Sequence, residues 1–184
     1  MIFSETTFWL GRSGVARWKP KGEENLHMVS KNVPKVNVWG AISYNGIVSL
    51  KMFRENLDSI LYVEILGEKL SEMRQLYRYV SGWSYQQDND PKHTANKTNN
   101  WFSNNKVKKL PWPASSPDLN PIENVWGKMK KDIGKMKPKN LEELEDSIEE
   151  LWGLISLEYV QSLIDSMPKR CKEVIKMNGE RILY

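Results

Sequence analysis

Around Asn45-Gly46 the chain reads VNVWGAISYNGIVSLKMF, with Val36, Val38, Gly40, Ile42 and Tyr44 alternating before the pair and Val48, Leu50 and Met52 after it. A period of two lines one face of a strand. Asn-Gly between two such runs is the strongest short hairpin signal, because both residues tolerate positive φ. Two antiparallel strands are therefore expected here. The segment ahead, MIFSETTFWL, is rich in β-branched and aromatic residues and reads as a further strand, joined to the hairpin by a Gly- and Lys-rich connection. A domain that opens inside its first strand is expected to be truncated at its N-terminus.

Beyond the hairpin the period changes. In NLDSILYVEILGEKLSEMRQLY, Leu57, Ile60, Leu61 and Ile65 fall at helical spacing behind an Asn56 cap. WSYQQD reads as a short strand, KHTANKTNNWFSNNK as a polar helix and VKKL as another short strand. From Asn120 onward the pattern is all helix, with Ile122, Val125, Trp126, Met129, Ile133 and Met136 on one face. Asn140 with Glu143 makes a capping box for a second helix carrying Leu144, Ile148, Leu151, Trp152 and Ile155. A third helix is expected from Ser156 to Met177, kinked near Pro168. Strands first, then alternating helix and strand, then helices, predict an α/β fold: a mixed sheet with helices on both faces. The 184 residues fit one domain, 1–184, with enough length to bury a core. In such sheets sites gather beyond the strand ends, and Asp88 sits at one.

Lys and Arg number 27 against 23 Asp and Glu, a formal charge of +4 that permits a nucleic-acid partner without demanding one. The arrangement is uneven: lysines crowd 128–139 and acids crowd 142–150. The one cysteine, Cys171, excludes an internal disulfide and a cysteine metal site, which points to a reducing compartment. No stretch approaches the roughly 18 apolar residues of a membrane span, and the N-terminus lacks the pattern of a signal peptide. A soluble cytosolic or nuclear protein is expected.

Two polar stretches hold the candidate chemistry, WSYQQDNDPKHTA (83–95) and WPASSPDLNPIENVW (112–126). Asp88 suits a turn ahead of Pro91, and it equally suits an oxygen site for a hard cation. Glu123 falls at the third position of a helix capped by Asn120 and opened by Pro121, where a capping-box acid belongs in an ordinary protein. Asp90 and Asp118 read as turn residues and His93 as a helix-start or hydrogen-bonding histidine, since no paired-histidine motif supports a zinc site.

Taken together, QQDNDPKHTA followed by WPASSPDLNPIENVW strongly resembles the catalytic domain of the Tc/mariner superfamily of DDE transposases, and the 34 residues between Asp88 and Glu123 match the Tc branch. LIDSMPKRCKEVIKMNG is similar to that branch's C-terminal segment, so the resemblance covers essentially the whole chain. It implies a ribonuclease-H-like fold, a mixed five-stranded sheet flanked by helices with a helical C-terminal part. It also implies an acidic triad holding two Mg²⁺ or Mn²⁺ ions for DNA strand cleavage and strand transfer. Two such ions about 4 Å apart activate the attacking oxygen and stabilise the leaving one. On this resemblance Asp88 is the second acid and Glu123 the third. The partners implied are DNA, both transposon ends and target, with a homodimer as a further candidate, and the compartment is the nucleus.

Two departures qualify the expectation. The family's first strand reads like Phe-Ser-Asp-Glu-Thr-Thr-Phe, whereas this chain runs Phe3-Ser4-Glu5-Thr6-Thr7-Phe8. If Phe3 and Ser4 keep their places, Glu5 substitutes for the missing aspartate as catalytic residue and metal ligand, although a shift of about 1 Å can cost on the order of a hundredfold in rate. If Thr6 to Phe8 keep theirs, Glu5 points as the neighbouring glutamate did and the site loses a ligand. Strand cleavage is expected to be weak or absent. The paired helix-turn-helix modules that precede the family's catalytic domain are also expected to be missing. Lys128, Lys131 and Lys135 form a helical stripe that reads as a DNA-backbone contact or as a solvated face. Two alternatives remain: a non-catalytic nuclear protein derived from a transposon that binds DNA or a partner, and a ribonuclease-H-like nuclease acting on RNA hybrids.

Overall fold

The computed structural model describes residues 1–11, 33–76, 83–114, 116–180 and 182. The Gly- and Lys-rich connection falls mainly within 12–32, outside the described residues. Three strands, β1 (Ile2–Trp9), β2 (Lys35–Ser43) and β3 (Gly46–Phe53), pair antiparallel in the order β1-β2-β3. The hairpin lies where Asn-Gly predicts it, with a different turn. Only Gly46 of the pair has positive φ, at 105°. The Ser43 hydroxyl accepts the Asn45 N–H at 3.1 Å, which tightens the turn one residue earlier and leaves the unusual backbone to glycine.

The five-stranded expectation is met by three full strands and two bridge-length ones. Gln86 bridges Ile2 and Tyr85 bridges Lys109, both parallel, on the open edge of β1. Backbone bonds Phe3 N–H to Gln86 O (3.1 Å) and Leu110 N–H to Tyr85 O (2.7 Å) carry these contacts. The ladder stops after Gln86 because the next side chains take over: Gln86 donates to Asn120 at 3.3 Å and Gln87 to the His93 carbonyl at 3.2 Å.

The helices are α1 (Ser59–Leu76), α2 (Pro91–Thr94), α3 (Asn96–Asn104), α4 (Pro121–Met136), α5 (Leu141–Gly153), α6 (Leu157–Asp165) and α7 (Met167–Lys176), with a 3₁₀ turn at Pro117–Leu119. Several boundaries correct the sequence reading. Asp58, not Asn56, caps α1, its carboxylate accepting the N–H groups of Ile60 and Leu61 at 2.9 Å each. The buried face of α1 is Tyr62, Ile65, Leu66, Leu70 and Met73, while Ile60 is exposed. The polar helix is two, because Ala95 takes an extended ψ of 148° between α2 and α3. The long C-terminal helix is also two, since Pro168 lies in the first turn of α7, where its missing N–H is harmless, instead of kinking one rod. Asn140 caps α5 as read, its Oδ1 accepting the Glu143 N–H at 2.8 Å, but the return arm of Glu143 accepts the Lys139 N–H at 2.8 Å instead of that of Asn140.

Strand alternation divides the core into two. Ile2, Phe8, Val36, Val38 and Ile42 face α4 and α5, whereas Phe3, Trp39 and Ala41 face α1, Tyr85 and Phe102. On the first face Gly40 is the closest approach. A Cβ built there would lie 2.4 Å from Cη2 and 2.7 Å from Cζ2 of Trp126, and 3.2 Å from Cη2 of Trp152. The two indoles stack on each other with centroids 5.3 Å apart, so neither ring can yield cheaply. Among the described residues no helix is long and apolar enough to cross a membrane.

Gly40→Ala should destabilise the protein by about 1–3 kcal/mol through overpacking. Gly127→Ala, in α4 with nothing within 4 Å of an added Cβ, should stabilise it by about 0.4–1 kcal/mol. Urea unfolding of both variants beside the native chain checks the pair.

Candidate active site

The seat of Trp126 at Gly40 decides what stands at the end of β1. Gly40 is the β2 partner of Ser4, and Glu123 precedes Trp126 by three residues on the same helical face. The Ser4 hydroxyl accordingly donates to Glu123 Oε1 at 2.6 Å. Glu123 does not form the capping box that its position suggested. Asn120 makes no side-chain cap, and its Oδ1 accepts from Gln86 instead.

Glu5, one residue on, points to the other face. Its Oε1 lies 2.9 Å from His93 Nε2, and its Oε2 lies 3.7 Å from Lys92 Nζ. His93 Nδ1 in turn lies 2.6 Å from Asp88 Oδ1. The histidine read as a helix-start residue is thus a bridge between two acids. It is 1% exposed, with its ring 4.4 Å from that of Tyr62. The Tyr62 hydroxyl donates to Gln87 Oε1 at 2.5 Å, which ties the stack back to the segment carrying Asp88. Asp90 caps α2 by accepting the Lys92 N–H at 3.1 Å, and it pairs with Lys92 Nζ at 2.8 Å. Sequence reasoning missed Ser4, Lys92 and the His93 bridge. The motif HTA five residues after Asp88 was visible, but nothing local says which strand its imidazole meets.

Electrostatics follow from this packing. Burial depresses the His93 pKa, but the hydrogen bonds to Asp88 and Glu5, with the charge of Glu5, outweigh it and carry the pKa to about 9. Asp88 is held below the usual carboxylate range, chiefly by its bond to His93. Glu123 is pushed up by burial and by the charges of Asp88 and Glu5, against the Ser4 hydrogen bond and Lys130.

A pocket lined by Ser4, Glu5, Asp88, Asp90 and Glu123 opens here, with Lys35 and Lys92 on its rim. A second groove shares Asp88 and Glu123 and adds Asn89, Trp112, Ser116 and Asn120. Asp88 and Glu123, with Asp90, therefore form a ridge shared by the two grooves. Glu5, Asp88 and Glu123, the three acids expected at the site, all line the first pocket. Among the described residues no three His, Cys, Asp or Glu side chains are grouped to hold a metal ion. The β1 side chain that meets Glu123 is a hydroxyl, and the β1 carboxylate is engaged by His93.

Further along α4, Lys128 and Lys135 both pair with Asp132, at 3.0 and 2.5 Å, while Lys131 is exposed on the same stripe. Behind the site, buried Arg170 of α7 donates to the Asp118 carbonyl and to Asn124 Oδ1, each at 2.9 Å. It thereby fixes the turn that leads into Glu123.

A family model described as DDE superfamily endonuclease matches residues 2–145. The chain is 33% identical over 181 residues to the transposable element Tc1 transposase of Caenorhabditis elegans, covering 98% of this chain and 65% of that protein. It is 36% identical over 178 residues to the Tcb1 transposase of Caenorhabditis briggsae, covering 96% of this chain and 63% of that protein. The chain thus spans a little under two thirds of the length of these relatives. Among solved structures, the Mos1 mariner paired end complex with Mn has a TM-score of 0.83 at 16% identity, covering 98% of this chain and 56% of that one. The catalytic domain of Mos1 mariner transposase has a TM-score of 0.77 at 17% identity, covering 98% of this chain and 82% of that one. The ribonuclease-H-like fold is shared.

The bridge has a pH signature. A histidine whose folded pKa stands near 9, against 6.5 unfolded, contributes stability that is full below pH 6.5 and is lost as pH rises through about 9. In metal-free buffer the gap in Tm between the native chain and His93→Gln should be widest near pH 6 and close above pH 9. Thermal unfolding across that range checks it.

Proposed function

The chain belongs to the DDE superfamily endonucleases as a Tc/mariner transposase catalytic domain, and on that premise we propose that it acts on DNA at the Asp88–Glu123 ridge with weakened strand cleavage. The observation that carries this reading is the 2.6 Å contact of Ser4 with Glu123. On this reading the β1 side chain that meets the helix acid is a hydroxyl and not a carboxylate. Asp88 and Glu123 supply oxygen donors of the kind hard divalent cations take. On that face β1 offers a hydroxyl, and its carboxylate is held by His93. The relatives are transposases, and DNA as substrate and the nucleus as compartment follow from them as part of the same proposal.

Lys131 is the proposed phosphate contact on α4. Lys128 and Lys135 lend less, because Asp132 already compensates both. A duplex without transposon ends should be bound weakly and with salt dependence. Lys131→Ala should lower the slope of log affinity against log salt by about 0.9, as expected for one phosphate contact. Lys128→Ala should lower it by less.

Nicking of supercoiled DNA in Mn²⁺ or Mg²⁺ tests the cleavage claim. The native chain should nick slowly, Asp88→Ala should abolish the residual activity, and Ser4→Asp should raise the rate on the order of tenfold to a hundredfold, the range that a well-placed group commands. A native rate equal to that of Ser4→Asp would overturn the proposal.

A further inference from the structure

We infer that Glu5 serves this site at one remove: it holds His93, and His93 holds one oxygen of Asp88, so Glu5 is a positioning residue and not the missing acid of β1. The inference rests on the reading that Asp88 belongs to the DNA-cleaving site.

Both oxygens of Glu5 are already engaged on α2, one by His93 Nε2 at 2.9 Å and the other by Lys92 Nζ at 3.7 Å. The alternation of β1 turns Glu5 from the face on which Ser4 meets Glu123. His93 is poorly free to swing. Its ring lies over Tyr62, and its carbonyl accepts from Gln87 Nε2 at 3.2 Å. At Asp88 both contacts fall on a single oxygen: Oδ1 lies 2.6 Å from His93 Nδ1 and accepts the Asp90 N–H at 3.1 Å. Oδ2 takes part in neither. One carboxylate oxygen is thus fixed by two bonds, on a residue that lines both grooves. Such an outer partner orients a ligand without touching what the ligand binds.

A double-mutant cycle on Mn²⁺ affinity, read from free Mn²⁺ by electron paramagnetic resonance, separates the two roles. His93→Asn keeps an amide where Nδ1 meets Asp88 but cannot reach Glu5. Glu5→Gln should weaken Mn²⁺ binding by about tenfold in the native background and by less than twofold beside His93→Asn. An equal loss in both backgrounds would make Glu5 a direct ligand and overturn the inference. If His93→Asn does not fold, the His93 ring ¹⁵N spectrum of metal-free protein decides: Glu5→Gln must move the Nε2 signal, and an unmoved signal overturns the inference as well. Asp88→Ala with unchanged Mn²⁺ affinity would instead sink the underlying reading of the site, whatever the ring spectrum shows.

Discussion

The indole of Trp126 against the bare Cα of Gly40 is the contact on which the rest of the site depends. A helix carrying a side chain as large as tryptophan packs this close to a strand only where the strand offers no Cβ, and here the added atom would meet ring carbons at 2.4 and 2.7 Å. Trp152 stacks behind and closes the slot. With α4 seated, its first turn falls over the end of β1, and Arg170 of α7 holds the preceding turn from outside. Glu123 is half-buried at Ser4 as a consequence of this packing, and its raised pKa follows chiefly from that desolvation.

The opposite face solves a charge problem. Glu5 and Asp88 each place a carboxylate oxygen on the same imidazole, and like charges gathered round one group are costly unless a positive charge offsets them. A buried imidazole with a carboxylate oxygen at each nitrogen offsets both. This works for the fold, since it ties β1, the segment after Tyr85 and α2 into one unit across the edge of the sheet. It also engages the first-strand carboxylate that lines the pocket.

How much of this was legible depended on how local each signal was. The hairpin at Asn45-Gly46, the Asn140 cap and the apolar face of α4 as far as Ile133 are set by neighbours within a few residues, and all three formed. The cap of α1 moved from Asn56 to Asp58 and its buried face rotated, because tertiary burial of Tyr62 outweighed the exposed Ile60. Glu123 is the instructive case. Its spacing from Asn120 fits a capping box, but a hydroxyl 119 residues earlier in the chain claims its carboxylate.

The sequence by itself determined the family and the strand-then-helix order, since those reside in residue types at fixed spacings along the chain. Only the tertiary structure decided which faces Ser4 and Glu5 take. Strand alternation puts adjacent side chains on opposite faces, and which face belongs to which residue is set by partners far away in sequence: Gly40 and Trp126 behind Ser4, Tyr62 and His93 beside Glu5. The chain writes a glutamate next to a serine. The packing of α4 on one side and α2 on the other makes the serine the neighbour of Glu123 and the glutamate the neighbour of His93.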